Sequence, residues 1–307
     1  MQGSLTIARG TLFVGLQAKS AHVRTFDLGG RELATAFSFR DERAGCSAAS
    51  GLAVDGDHRI LVADTPADRV RRFTLFGREV DGIGARQEGA PGPIPVLPGL
   101  VSRPVDVVVR GNADQGWVAV ACGGEARHAV QLFEPDLTYR TSCRSLGEAG
   151  RSFQGVVRLG SHEDSLLVAE SVARRIQIFR EGEFLFAFHL TDRLGERYEP
   201  SAVAAVGDGR LVVGCRAPRS ALFLVDATGR PLRELAGQGE EEGCTVEPTD
   251  VVLEPGNDDR HAQLFVIDRD GLRVQVFTLE GRCLGSFSLT GSYRSEPKRV
   301  RRNKGGR

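Results

Sequence analysis

Two aspartates stand immediately before apolar strand-like runs. Asp106 follows Arg103 and Pro104 and precedes VVV, and Asp250 follows Glu247 and Pro248 and precedes VVL. If the two side chains faced each other, their oxygens could hold a hard cation such as calcium, or zinc. The alternatives are that each aspartate accepts hydrogen bonds from its own turn, or that Arg103 and Glu247 form a salt bridge beside them.

A second set of polar residues ends another series of apolar runs. It comprises Asp64, Cys122, Glu170, Cys215 and Asp268, with Leu16 at the first position of the series. These residues mix soft and hard ligand types and are dispersed over the chain, which does not suit a tetrahedral zinc site. We therefore predict that the carboxylates brace neighbouring turns.

The elements that must position these residues form a repeat. Six short runs recur with central valines at Val14, Val62, Val120, Val168, Val213 and Val266, about 50 residues apart. An apolar strand precedes each run, and an alternating strand, a turn and a fourth strand follow it. The pattern predicts an all-β fold, a six-bladed β-propeller of four-stranded antiparallel blades. Six-fold order places Asp106 in blade 3 and Asp250 in blade 6, on opposite sides of one channel mouth.

Charge separates the propeller from the end of the chain. The 17 residues 291–307 carry a net charge of +6, and residues 1–290 carry −6. We expect residues 1–290 to form the propeller and 291–307 to be a basic, disordered tail, with nucleic-acid binding through this tail as an alternative. No run is long and apolar enough to span a membrane, and no signal peptide is evident. We expect a cytoplasmic monomer with reduced cysteines.

One blade carries a family resemblance. Residues 51–84, GLAVDGDHRILVADTPADRVRRFTLFGREVDGIG, resemble an NHL repeat, and two later blades are looser copies. The resemblance implies the propeller fold, whereas the functions of such propellers are diverse. A related amidating lyase would need several histidines before the third strands, and only His128 stands at such a position. Calcium-dependent lactone hydrolases use acidic and amide ligands, which Asp106, Asp250, Glu199 and Glu247 could partly supply. RNA-binding NHL domains use a basic face, but the body of this chain is net acidic.

The connection between blades 2 and 3 is long. Residues 84–104 are rich in proline, yet they contain Ile94, Val96, Leu97 and Leu100, which are more apolar than an exposed loop requires. We expect this loop to form part of a protein-binding surface. The sequence thus favours a non-catalytic binding or scaffolding propeller without a cofactor. The alternatives are a divalent-cation-dependent lyase or lactone hydrolase at the channel mouth, and an RNA-binding domain.

Overall fold

The fold was analysed in a computed structural model of the 307-residue chain. The structure describes residues 3–16, 22–38, 48–84, 97–111, 115–123, 125–126, 129–144, 153–191, 195–268 and 273–289.

Six four-stranded antiparallel sheets form the blades, and within each sheet the strands follow chain order. Blade 1 consists of β1 (Gly3–Ala8), β2 (Thr11–Leu16), β3 (His22–Asp27) and β4 (Glu32–Ser38). Blade 2 consists of β5 (Gly51–Val54), β6 (Ile60–Asp64), β7 (Arg69–Phe73) and β8 (Glu79–Ile83). Blade 3 consists of β9 (Pro104–Gly111), β10 (Gly116–Cys122), β12 (Val130–Phe133) and β13 (Tyr139–Ser142). Blade 4 consists of β15 (Val156–His162), β16 (Ser165–Glu170), β17 (Arg175–Arg180) and β18 (Glu183–Phe188). Blade 5 consists of β19 (Glu199–Gly207), β20 (Arg210–Ala217), β21 (Ala221–Val225) and β22 (Pro231–Ala236). Blade 6 consists of β23 (Pro248–Glu254), β24 (Gln263–Asp268), β25 (Arg273–Phe277) and β26 (Cys283–Ser288). The predicted fold class is confirmed.

Two small elements stand outside the blades. The short strands β11 (Glu125–Ala126) and β14 (Phe153–Gln154) pair with each other, and Thr65–Ala67 form a single 3-10 turn. No helix in the described residues has the length and apolarity that would let it cross a membrane.

The burial of the strands explains the sequence pattern. The second strand of each blade lies between two others and is covered on both faces, so that β6 is buried at every residue. The outermost strand has one exposed face, and β26 alternates between half-buried and exposed residues. Continuous apolar runs therefore mark the second strands. The alternating third strands have no exposed face: β7, for example, is buried at all residues but its first, and its arginines Arg71 and Arg72 are buried.

The hydrophobic core is divided between the blades. Six clusters of buried side chains each combine residues of two adjacent blades; the cluster of blades 3 and 4, for example, contains Trp117, Leu132, Leu166 and Phe179. No blade has a core of its own, which is the physical reason why such repeats fold as a ring.

The ring closes at a blade boundary. Blade 1 is made entirely from the first four strands and blade 6 entirely from the last four, so no strand is exchanged between the ends of the propeller. The junction is held by side-chain to backbone hydrogen bonds, among them Arg24 Nη1 to the carbonyl of Leu289 at 2.9 Å.

Candidate functional site

The innermost strand of each blade has a free edge, and one position on it forms a ring of six residues around the channel. In each blade, the central valine of the second strand pairs with one residue of the innermost strand. The residue immediately before that partner occupies the ring position, and the six ring residues are Ser4, Gly51, Asp106, Arg158, Ala202 and Asp250. The apolar run GVVRL predicts Gly155 at the blade 4 position, and this prediction is wrong. From the hairpin at His162 and Ser165 the pairing of β15 with β16 is regular as far as Arg158, which therefore takes the ring position.

Arg158 crosses the channel and joins four blades through backbone carbonyls. From blade 4 its Nε donates to Thr249 O of blade 6 at 2.8 Å. Its Nη1 donates to Ser50 O, just before blade 2, at 2.7 Å, and its Nη2 to Gly3 O of blade 1 at 2.6 Å. The side chain is 4% exposed. Because the free edge of an inner strand carries unpaired carbonyls, the guanidinium satisfies groups that the blades cannot satisfy themselves.

Asp106 and Asp250 lie on either side of this guanidinium. Asp106 Oδ1 is 3.8 Å from Arg158 Nη1, and Asp250 Oδ1 is 3.6 Å from Arg158 Nε. These distances are those of ion pairs without a direct hydrogen bond. Burial, partly offset by the positive charge of Arg158, raises the pKa of Asp106 to about 7.

Each aspartate also joins its own blade to the next. Asp106 Oδ2 accepts the N–H of Leu159 in blade 4 at 2.7 Å, and Asp250 Oδ2 accepts the N–H of Leu5 in blade 1 at 2.7 Å. The second oxygen of each carboxylate accepts the N–H of the residue that follows it. The predicted hydrogen bonding to the backbone is thus present, but it extends across the blade boundary.

The remaining ring positions follow from this arrangement. Ser4 Oγ accepts the N–H of Leu52 in blade 2 at 3.0 Å, which is the contact the aspartates make elsewhere. Gly51 leaves room for Asp106, because a Cβ on this glycine would stand 2.5 Å from Asp106 Oδ1 and from its Cα. The ring therefore combines one guanidinium, two carboxylates and one hydroxyl at one end of the channel.

The carboxylates at the ends of the second strands have a different environment. Asp268 Oδ1 accepts the N–H groups of Val246 and Glu247 at 3.0 and 2.8 Å, and its Oδ2 accepts from Arg273 Nη2 at 2.7 Å. The carboxylate thus braces the connection arriving from blade 5, whereas the turn that follows it, residues 269–272, lies outside the described residues.

Glu170 repeats this arrangement in blade 4. Its Oε1 accepts the N–H of Gln154 at 2.6 Å, and its Oε2 accepts from Arg175 Nε and Gln177 Nε2, both at 2.5 Å. In blade 2, Asp64 is fully buried and lies 3.5 Å from Arg71 Nη1. We call Glu170 and Asp268, with their arginines, the bracing pairs.

The two cysteines of this series are buried thiols. Burial raises the pKa of Cys122 to about 11, and burial also raises the pKa of Cys215. A thiol with a raised pKa stays protonated and is a poor metal ligand. The five cysteines that the structure describes are free.

The other residues singled out in the sequence do not join the ring. Glu199 accepts from Arg216 Nε at 2.6 Å at the start of β19. Arg103 is exposed and its N–H donates to Asp68, while the N–H of Glu247 donates to Asp268. Among the described residues Arg103 and Glu247 form no salt bridge with each other. His128 lies outside the described residues.

The site therefore differs from the one expected in its source of positive charge. The two aspartates do meet at one end of the channel, and the cation beside them is the side chain of Arg158. Within the described ranges no three His, Cys, Asp or Glu residues are grouped closely enough to hold a metal ion. The sequence does carry a signal for Arg158, since it is an arginine inside an otherwise apolar inner strand, GVVRLG.

Comparison with known proteins supports the fold alone. No protein-family model matches the chain, and no curated protein matches it. Solved structures do. A protein of unknown function from Bacteroides caccae is 12% identical, with a TM-score of 0.61 over 91% of this chain and 93% of that one. The WD40 β-propeller domain of Doa1 is 12% identical, with a TM-score of 0.60 over 94% of this chain and 82% of that chain. Virginiamycin B lyase from Staphylococcus aureus is 12% identical, with a TM-score of 0.58 over 94% and 84%. At 12% identity the structural similarity shows the propeller fold and does not extend to function.

Proposed function

We propose that the protein is a non-catalytic, NHL-type binding propeller that holds a protein partner through an apolar patch on blade 3. The patch consists of Leu97, Leu100 and Tyr139. The observation that carries the proposal is that these three exposed side chains lie together, with the leucines on the turn at residues 97–100 and Tyr139 at the start of β13, against which the turn packs. Their exposed fractions are 46%, 43% and 39%. The backbone at Gly99 lies against Tyr139, since a Cβ on this glycine would be 3.4 Å from the tyrosine Cβ.

A buried glutamine fixes the turn to the blade. Gln131 Oε1 accepts the N–H of Gly99 at 2.8 Å, and its Nε2 donates to the carbonyls of Leu97 and Leu100 at 3.2 and 2.8 Å. A preformed apolar surface loses little conformational entropy when a partner binds, which favours its use as an interface. The remainder of the connection, residues 85–96, lies outside the described residues.

The other exposed apolar side chains are arranged differently. The outermost strands of blades 1, 2, 5 and 6 each present one, namely Leu33, Val80, Leu232 and Leu284, and Val172 and Val246 stand singly in connections. Leu75 and Phe76 are adjacent, but they stand on the short turn that joins β7 and β8. Apolar residues scattered singly over a surface are normal and indicate no interface. Leu185 and Phe186 are consecutive in β18, so their side chains point to opposite faces.

Two further observations support binding without catalysis in the cytoplasm. The ionisable groups at the channel end are held by Arg158 and by backbone N–H groups, which is the arrangement of a structural tie. The five described cysteines are free thiols, which suits a reducing compartment.

The test compares two matched double variants in quantitative affinity capture. Leu97→Ser with Leu100→Ser removes the leucines of the patch, whereas Leu232→Ser with Leu284→Ser removes two equally exposed leucines elsewhere. Surface changes of this kind alter stability by about 0.5 kcal/mol or less, so both variants should fold. We expect the first to lose the captured partner and the second to retain it. Equal capture by the two variants would contradict the proposal.

A further inference from the structure

The outermost strand of blade 4 differs from the outermost strands of the other blades. After its first residue, β18 reads FLFAF and is entirely apolar, and Leu185, Phe186 and Ala187 in its middle are exposed. Each of the other five outermost strands contains a polar residue or a glycine after its first residue. Interruptions of this kind make a strand edge a poorer template for pairing with another chain. The edge of β18 has none.

This edge also has backbone groups available for pairing. Among the described residues β18 is paired with β17 alone. In an antiparallel pair, alternate residues direct their N–H and C=O groups away from the neighbouring strand. Along β18 these groups point out of the blade, so the strand can accept a further antiparallel strand by main-chain hydrogen bonds.

The side chains of β18 continue the core of blades 4 and 5 outwards. Phe188 is buried in that core with Tyr198 and Phe223. Phe186 lies on the same face of the blade, because its cross-strand partner Ile178 belongs to the same core, yet 40% of its surface is exposed. An added strand would therefore cover an aromatic side chain that the blade itself leaves open to water.

The charge pattern of the strand indicates which strand would fit. Glu183 begins β18 and His189 follows its last residue, with no charged residue between them. When two copies of β18 pair antiparallel about Phe186, Glu183 of each copy lies opposite His189 of the other, and Leu185 lies opposite the smaller Ala187. Phe186 then lies opposite its own copy as an aromatic cross-strand pair. A shift by one residue in either direction would place the carboxylate opposite an apolar residue.

We propose that two copies of the chain form a dimer by antiparallel pairing of their β18 strands, which joins two four-stranded blades into one sheet of eight strands. The proposal departs from the monomer expected from the sequence. A strand pair of this length buries less than the roughly 1,200–2,000 Å² of a stable interface, so we expect a dissociation constant of about 1–100 µM. The dimer is independent of the protein partner, because β18 shares no residue with the blade 3 patch.

The first experiment measures the mass of the full chain by sedimentation velocity from about 1 to 300 µM, a range that suits a weak interface. We expect the parent chain to change from monomer to dimer over this range. Phe186→Lys should stay monomeric, because two-fold pairing sets its two ammonium groups against each other. Leu284→Lys is the matched control, since Leu284 is 46% exposed on the outermost strand of blade 6, and it should dimerise as the parent does. A parent chain that stays monomeric, or equal loss of the dimer in both variants, would overturn the proposal.

The second experiment tests the two-fold register. Phe186→Glu should be monomeric by itself, for the same reason as Phe186→Lys. An equimolar mixture of the two variants should dimerise, because the carboxylate of one copy then lies opposite the ammonium group of the other. Recovery of the dimer would also show that both variants are folded. A mixture that remains monomeric would mean that the copies do not pair about Phe186, and the proposal would be wrong.

The third experiment separates the dimer from the binding of the protein partner. Leu97→Ser with Leu100→Ser changes the blade 3 patch and should leave the dissociation constant of the dimer within about twofold of the parent value, because the two sites share no contacts. Phe186→Lys, in turn, should still capture the protein partner. If the double serine variant is monomeric, the copies meet through the blade 3 patch and the pairing of β18 is excluded.

Discussion

The buried carboxylates of this propeller fall into two groups that differ in how many guanidinium groups they have. In the bracing pairs, Glu170 and Asp268 each have an arginine at hydrogen-bond distance, Arg175 and Arg273. In the ring, Asp106 and Asp250 share Arg158 and lie 3.6–3.8 Å from it. Residues of the same type and similar burial thus serve different purposes. The bracing pairs are balanced and hold the connections between blades, whereas the ring has one carboxylate in excess.

The strongest test of this comparison removes the shared guanidinium. Arg158→Met leaves two buried carboxylates without a positive charge and three carbonyls without a donor. Breaking a buried ion pair from one side costs about 3–5 kcal/mol, and we expect a loss of this size in the free energy of unfolding, measured by urea titration.

Arg260→Met is the matched control, because Arg260 is mostly exposed and paired with Glu280 at the surface. Its effect should stay within about 0.5 kcal/mol. A loss below about 1 kcal/mol for Arg158→Met would show that the guanidinium is not the tie between the blades.

A smaller effect is expected in a bracing pair. Glu170→Gln keeps the size of the side chain and an acceptor for the N–H of Gln154, but it removes the charge that faces Arg175. Hydrogen bonds to charged groups contribute about 1.5–3 kcal/mol, so the free energy of unfolding should fall by about 2 kcal/mol. Glu181→Gln, at an exposed ion pair with Arg140, is the control and should have almost no effect. A larger loss of unfolding free energy for Glu170→Gln than for Arg158→Met would show that the bracing pair stabilises the propeller more than the ring does.

The sequence predicts the six-bladed architecture because that information is local. Continuous apolar runs mark strands such as β6, which are covered on both faces. The alternating runs are strands too, but the polar residues of strands such as β7 and β25 are buried in side-chain hydrogen bonds rather than exposed. The meeting of Asp106 and Asp250 at one channel end also follows, since six-fold order is a property of the repeat.

The position of Arg158 does not follow in the same way. The register of β15 is set by its pairing with β16, which is regular from the hairpin at His162 to Arg158. Starting the strand at its first apolar residue places Gly155 at the ring and overlooks the arginine. The charge balance of the site therefore depends on the strand register, which an apolar pattern does not reveal.

The pH dependence of stability distinguishes the two groups further. Burial raises the pKa of Asp106 to about 7 in the folded chain, whereas an unfolded aspartate titrates near 3.9. Between these values folding makes Asp106 bind its proton more tightly, so the contribution of this residue to stability is greatest below about pH 4 and is lost as the pH rises towards about 7. One such proton gives a slope of up to about 1.4 kcal/mol per pH unit.

This contribution should be absent in Asp106→Asn. Urea unfolding between about pH 4 and 7 should give a flatter profile for this variant than for the parent chain, while Ser286→Ala, which changes no titratable group, should keep the parent slope. Identical slopes in the parent chain and in Asp106→Asn would mean that Asp106 is ionised throughout and that Arg158 compensates both carboxylates.

The smallest effect separates hydrogen bonding from charge within the ring. Ser4 makes the same contact to the next blade as the aspartates do, with a neutral oxygen. Ser4→Ala leaves the buried N–H of Leu52 without its acceptor, which should lower the free energy of unfolding by about 1 kcal/mol, against no change for Ser286→Ala on the exposed face of β26. If Ser4→Ala proves as stable as Ser286→Ala, another acceptor takes the N–H of Leu52, and the neutral member of the ring does not hold blades 1 and 2 together as the charged members hold theirs.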